Sequence, residues 1–175
     1  MHNLLLLSYP FQPDNTPAAA RPSQLYRFLP GHNVRPIVFA SSYEGSLNCD
    51  TDVHRVPYVS HSVRTALASS LASWFMRFLV PYNDRWPWVP HAASAAAEYI
   101  QTHPVDAIYS TSPFLASHFA AMWLKRAFGL PWIADFQDPI CDNPFRTRRW
   151  IFPYDKIIER MIFRSADRII ANTDT

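Results

Sequence analysis

Small polar side chains gather in this 175-residue sequence wherever an apolar run ends. Leu4 to Leu7 gives way to Tyr9, Pro10, Asp14, Asn15 and Thr16. Ile108-Tyr109 gives way to Ser110, Thr111, Ser112 and Pro113. Ile133-Ala134 gives way to Asp135, Gln137 and Asp138, and Ile169-Ile170-Ala171 to Asn172, Thr173 and Asp174. Hydroxyls, amides and carboxylates presented together suit a polyhydroxylated or phosphorylated ligand, which needs many directional hydrogen bonds. The same residue types cap helices and make turns, and about half of these positions are explained by that alone. Ser112, just ahead of Pro113, is the plainest such case. Asp135 and Asp138 are spaced i, i+3, and either could orient a substrate hydroxyl or take its proton. Asp138 is the stronger candidate, although before Pro139 it could also cap a turn. Arg146, Arg148 and Arg149 could meet phosphate, but a solvated basic loop is the preferred reading.

The remaining chemistry is narrow. None of the seven histidines sits in a metal-ligand motif. His118, beside Ala116 and Phe119, reads as a packed histidine rather than a base. No nucleophile elbow or Ser-His-Asp set is present. The three glycines, Gly31, Gly45 and Gly129, are too scattered for a phosphate loop. That also argues against a dinucleotide-dependent oxidoreductase, and no acidic cluster near the first strand supports a receiver-type domain. No cofactor or metal is expected. Cys49 and Cys141 form no CxxC pattern, which suits a reducing cytosol.

Composition bounds the class. Hydrophobic residues are 49% and charged residues 17%, enough for a sizeable core in one domain. A net charge of +2 gives no argument for nucleic acid. The start has no positive n-region, and no run approaches the ~20 apolar residues of a membrane span.

Elements must carry the polar tips to one place. Leu4 to Leu7 is apolar without alternation, as in a parallel strand buried on both faces. Asn15 or Thr16 can cap a helix that begins at Pro17 or restarts after Pro22, with Ser23 as a second cap and Gly31 as its end. Val34–Ala40 and Val53–Val59 are strand candidates whose Pro36 and Pro57 suit strand starts or edges. Val63–Val80 reads as an amphipathic helix and His91–Ile100 as an alanine-rich one. Asp106–Ser112 is a strand, followed by a helix from Pro113 to Phe128 that Gly129 ends. Pro131–Phe136 is a strand, Tyr154–Ser165 a helix, and Asp167–Thr173 the last strand. The alternation predicts an α/β fold with a mostly parallel sheet. In such a sheet, ligands bind beyond the carboxyl ends of the strands. The aromatic stretch Trp74 to Trp88 could be a membrane-interface patch. A core role is preferred, because large aromatics are usually well buried.

An ordered set of segments carries a family resemblance. They are Leu5-Leu6-Leu7-Ser8-Tyr9-Pro10-Phe11 with Pro13-Asp14-Asn15, and Ala107 to Pro113. The most telling are Gly129 to Pro139 and Ala166 to Thr173. In this order the chain resembles the N-terminal, acceptor-side half of a family 4 glycosyltransferase, with two facing Rossmann-like lobes. The resemblance implies a single Rossmann-like lobe over residues 1–175 with helices on both sheet faces, and a donor-binding lobe that is not in this chain. It implies a retaining transferase of hexosyltransferase type that moves sugar from a nucleotide-sugar donor to an acceptor hydroxyl, sugar or lipid-linked. By position, Asp14, Asn15 and Thr16 look like the loop that approaches donor phosphates. Ser110, Thr111 and Ser112 look like an acceptor-facing strand end, with Asp135 and Thr173 as further substrate contacts. Asp138 falls where many relatives carry a catalytic-cleft residue. Many relatives have paired glycines in the first loop, where Asp14-Asn15-Thr16 stands here.

The implied setting is cell-envelope or polysaccharide biosynthesis in the cytoplasm, with peripheral contact at the inner membrane face left open. Because the chain stops just past a strand end, the expectation is half of a two-lobed enzyme, inactive by itself. The alternative is a non-catalytic module that binds an acceptor or a partner.

Overall fold

The computed structural model describes residues 1–42, 50–57, 85–141 and 152–172. The elements are β1 (His2–Ser8), α1 (Pro17–Phe28), a 3-10 turn (Leu29–His32), β2 (Val34–Ser42) and β3 (Val53–Pro57). They continue with α2 (Trp88–Thr102), β4 (Ala107–Thr111), α3 (Leu115–Phe128), β5 (Trp132–Phe136), α4 (Phe152–Ser165) and β6 (Arg168–Ala171). All six strands are parallel, in the order β3-β2-β1-β4-β5-β6.

β1 holds the centre, with Leu5 opposite both Ile37 of β2 and Ile108 of β4. Its apolar run does not alternate because both faces are covered. Leu5 and Leu7 enter the larger cluster with Trp88 and the alanines of α2, the inner side of α3, and Ile162 of α4. Leu6 enters a smaller cluster with Phe11 and Val38, against which Leu25 and Tyr26 of α1 pack. This division follows from right-handed crossovers. The chain steps from β1 outward to β3, returns past β1 to β4, and so places α1 on one face and the later helices on the other. Ala92, Ala93, Ala96 and Ala97 are all buried and let α2 approach closely.

Prolines and glycines sort by local geometry. Pro36 lies inside β2, between two neighbours. The Val38 N–H points towards Asp52, so the donor Pro36 lacks would point the same way, ahead of the first β3 pair at Val38–Val53. Pro57 closes the edge strand β3. The α1 helix begins at Pro17 and runs through Pro22 instead of restarting after it, and Thr16 makes no side-chain cap bond. Its end differs from expectation too: α1 stops at Phe28 with Leu29 right-handed at its cap, Gly31 lies inside the 3-10 turn that follows, and the left-handed residue, Asn33 (φ 61°), closes that turn. Gly129 does close α3 in the left-handed region, at φ 69°. That helix starts at Leu115, two residues later than the proline signal, with Phe114 extended ahead of it.

Trp88 is fully buried, edge-on to Tyr9 at 5.4 Å, and Trp86 packs on Phe119 at 4.4 Å. For these two rings the core reading holds. Residues 74–84 of that stretch, the Val63–Val80 helix, Arg146, Arg148 and Arg149 lie outside the described residues. Among the described residues, no helix is long and apolar enough to cross a membrane.

The two described glycines separate backbone strain from packing, since a Cβ at either meets nothing within 4 Å. Gly129→Ala should cost about 1 kcal/mol, the penalty of a left-handed L-residue. Gly31→Ala should be neutral or stabilise by up to about 1 kcal/mol, by narrowing the unfolded ensemble. Urea unfolding of both variants checks the contrast.

Candidate functional site

The strand order reverses between β1 and β4, so the crevice opens beyond Ser8 and Thr111. The loop after β1 carries Asp14, Asn15 and Thr16. Asp14 Oδ1 accepts the Thr16 N–H at 2.9 Å, a local turn that leaves Asn15 and Thr16 exposed. Pro17 then opens α1, and its second turn carries Arg21.

Arg21 is the residue the sequence reading missed. One guanidinium nitrogen donates to Asp135 Oδ1 at 2.6 Å, and the other donates to Asn172 Oδ1 at 2.7 Å. One side chain from α1 thus ties the tips of β5 and β6. The available signal was its place, one turn into the helix that follows the first strand, on the side of the strand ends. Its partner Asp135 is fully buried. The other carboxylate oxygen accepts from the Thr111 hydroxyl at 3.1 Å. Burial first, and then the adjacent Asp135 carboxylate, push the Tyr109 hydroxyl well above its ordinary pKa.

Gln137 closes the neighbouring gap. Its backbone N–H donates to Ser112 Oγ at 2.7 Å, and its side-chain amide donates to the Ser112 carbonyl at 2.8 Å and Thr111 Oγ1 at 3.0 Å. The same amide nitrogen lies 3.5 Å from the Ala18 carbonyl. That carbonyl has lost its helical donor, because Pro22 stands four residues on and has no N–H.

These bonds sort the expected site residues into two layers. Ser110, Thr111, Ser112 and Asp135 are all buried. The Ser112 hydroxyl does not cap α3, since it receives the Gln137 N–H and no side-chain cap bond forms there. The Ser110 hydroxyl accepts from Trp132 Nε1 at 2.8 Å and shares a hydrogen bond with His118 Nδ1 at 2.8 Å. Ser110 therefore belongs to the interior, not to a cleft wall, and the expectation of an acceptor-facing hydroxyl is corrected. Thr111, Ser112 and Asp135 are likewise directed at protein partners; they brace the rim from below. The rim itself presents Asn15, Thr16, Asp138 and Asn172, all exposed, with Asp14 and Gln137 half-buried. Thr173 lies outside the described residues.

On the opposite edge, Tyr9 bridges the crevice. Its N–H donates to Ser117 Oγ at 3.1 Å, and its carbonyl accepts the Ser41 N–H at 3.0 Å. The Arg85 guanidinium sits 4.0 Å from the Phe114 ring and 5.1 Å from the Tyr9 ring. A cavity of about 910 Å³ lies elsewhere, between β3 and α2, lined by His54, His91, Glu98 and Tyr99. It is beside the edge strand, away from the switch point, and none of the expected site residues lines it.

Burial alone pushes His118 down to about 3. The imidazole is neutral in the fold, and its usual pKa is about 6.5 when unfolded. Its contribution to stability is complete above pH 6.5 and is lost as pH falls towards 3, because the unfolded chain takes up the proton first. Between those limits the stability slope attributable to this residue should reach about 1.4 kcal/mol per pH unit, and it should vanish in His118→Gln. Urea midpoints from pH 7.5 to 5 test it. Asp135→Ala should cost about 3 kcal/mol, the lower end for breaking a buried pair, since the Arg21 side chain is 33% exposed. Asp138→Asn should stay within about 0.5 kcal/mol of the parent, as an exposed position.

A family model described as "Glycosyl transferase 4-like domain" matches residues 18–175. Among solved structures, the fold is similar to that of sucrose-phosphate synthase from Thermosynechococcus elongatus, with a TM-score of 0.64 at 12% identity. That likeness concerns the fold alone. It covers 97% of this chain and 42% of that enzyme, so the chain spans less than half the length of that structural relative. A search of curated proteins finds no match. The single sheet of parallel strands, its switch point beneath a polar rim and the family match over nearly all of its length lead to one assignment: this chain belongs to the glycosyl transferase 4-like domain family.

Proposed function

We propose that this chain is the acceptor-side lobe of a retaining glycosyltransferase that moves sugar from a nucleotide-sugar donor to an acceptor hydroxyl. The observation that carries the reading is the single rim. Three strand ends from two sides of the switch point, those of β1, β5 and β6, bring Asn15, Thr16, Asp138 and Asn172 to the carboxyl end of one parallel sheet. The family membership supplies the reaction class. An exposed carboxylate on the β5 loop, Asp138, is the candidate that orients or accepts a proton from the acceptor hydroxyl. Asn15 and Thr16 supply the N–H and hydroxyl donors expected near donor phosphates. Here they take the place of glycine backbone, so side chains and not close main-chain approach make the contact. Asp14 positions them through its turn bond to Thr16.

One wall does not make a closed, water-poor cleft, and transfer in preference to hydrolysis needs one. The chain by itself is therefore proposed to be inactive, with the nucleotide held mainly by a second lobe. Cytoplasmic placement and a role in building cell-envelope sugars or polysaccharide fit a soluble nucleotide-sugar donor. A second reading, a non-catalytic module for an acceptor or partner, is favoured by one observation. Ser110, Thr111, Ser112 and Asp135 spend their polar atoms on internal bonds, which leaves few groups for chemistry.

A turnover assay separates the two. With a panel of nucleotide sugars, the isolated chain should yield no product. Linked to or mixed with a nucleotide-binding lobe, it should transfer sugar with the anomeric configuration kept, read by proton NMR. Asp138→Asn should then lower kcat by about a hundredfold or more with little change in fold. An inverted product overturns the retaining mechanism, and an unchanged kcat overturns the role of Asp138.

A further inference from the structure

The cleft between β3 and α2 holds polar groups that the rim does not use. At about 910 Å³ it stands at the upper end for a ligand pocket. One wall is aromatic. The His54 ring stacks on Phe39 with centroids 4.7 Å apart, and Tyr99 meets His54 edge-on at 5.1 Å and Phe39 at 5.9 Å. His103 stacks on the Tyr99 ring at 4.2 Å and steadies it. The other wall is one face of α2, where His91, Ser94 and Glu98 are exposed at helical spacing. His54 Nε2 is buried with no hydrogen-bond partner among the described residues. Native folds rarely leave such an atom unanswered. Burial lowers the His54 pKa although the Asp52 carboxylate opposes the shift, so the ring is neutral at pH 7. Arg55 is the one Lys or Arg among the described lining residues, and its guanidinium donates to the Gln12 and Ser41 carbonyls. The cleft thus contains two carboxylates, from Asp50 and Glu98, while its arginine is spent on main-chain oxygens.

We propose that the β3–α2 cleft is a second ligand site, one that holds a neutral saccharide. A sugar ring has an apolar C–H face, which suits aromatic rings, and a rim of hydroxyls, which need directional partners. Rings already packed on one another lose little freedom when such a face lands on them. The Glu98 carboxylate accepts from sugar hydroxyls in charge-assisted bonds, and the Ser94 hydroxyl both donates and accepts. A hydroxyl that reaches His54 Nε2 satisfies the orphaned nitrogen. A nucleotide or a sugar phosphate is a poor occupant, because Asp50 and Glu98 repel its charge and Arg55 is engaged elsewhere. The cleft flanks edge strand β3, two strands from β1 and the switch point, so it holds a ligand without acting on it. The inference is independent of the transferase reading, because none of these side chains belongs to the polar rim.

NMR titration of the isotope-labelled chain tests the proposal, with maltotriose, cellotriose and chitotriose as probes. At least one of them should shift the backbone amides of His54, Ser94, Glu98 and Tyr99 saturably, and adenosine monophosphate should not. Glu98→Gln should weaken that binding about tenfold, through loss of a hydrogen bond to a charged group. Tyr99→Ala should weaken it by roughly the same factor. Circular dichroism checks that each variant folds, and exposed Glu98 carries the test if Tyr99→Ala does not. Arg27→Gln, an exposed position on α1 across the sheet, should leave binding unchanged. The idea is overturned if no probe shifts those amides, if adenosine monophosphate binds there more tightly than the sugars, or if Glu98→Gln keeps full affinity. Shifts confined to Asn15, Thr16 and Asp138 would sink it too, while leaving the transferase reading to the turnover assay.

Discussion

The structure rests on the burial of β1 from both sides. Leu5, Leu6 and Leu7 are fully buried towards both faces, so the strand can exist only as the centre of a sheet covered above and below. Once β1 is central, the neighbours β2 and β4 must flank it, and the chain must reverse its direction of travel there. The switch point is thus a consequence of where apolar surface is hidden. The loops that leave β1 and β4 diverge over it, and the crevice between them is the place where a ligand can reach several strand ends at once.

Burial also shapes the chemistry around that crevice. Strand ends in this fold deliver polar groups into a nearly dry layer, and each must find a partner. Asp135 is answered by Arg21 and Thr111, Ser112 by Gln137, and Ser110 by Trp132 and His118. The result is a braced layer under an exposed rim. At the other end of the sheet the same logic holds more simply. Asp106 Oδ2 accepts the Asn3 N–H, and Asp167 Oδ2 accepts the Trp132 N–H, each pinning the start of an adjacent strand. The Lys125 ammonium and the Trp132 N–H hold the Asp167 carboxyl below its usual range. Side-chain bonds therefore fasten both ends of the sheet.

Sequence alone conveyed a good part of this. The apolar runs located each described strand within a few residues, and Gly129 marked the end of α3, because one residue type dominates the left-handed position. Helix ends set by several weak signals were less legible. Asn33 can adopt the left-handed conformation as glycine does, and it closes the 3-10 turn that follows α1, while α1 itself ends at Phe28 ahead of Gly31. The proline signal placed the start of α3 two residues early. The site was less readable still. Residue type could not separate Ser110, which faces inward, from Asn15, which faces solvent. Arg21 lay inside a helix, far in sequence from both of its partners.

What the sequence determined by itself was the list of elements and their parallel, doubly covered character, since periodicity and breaker residues act over a few neighbours. What only the tertiary structure decided was which polar groups are spent and which remain to act. That depends on partners more than a hundred residues apart, Arg21 with Asp135 and with Asn172, and on whether water reaches them once the layers close.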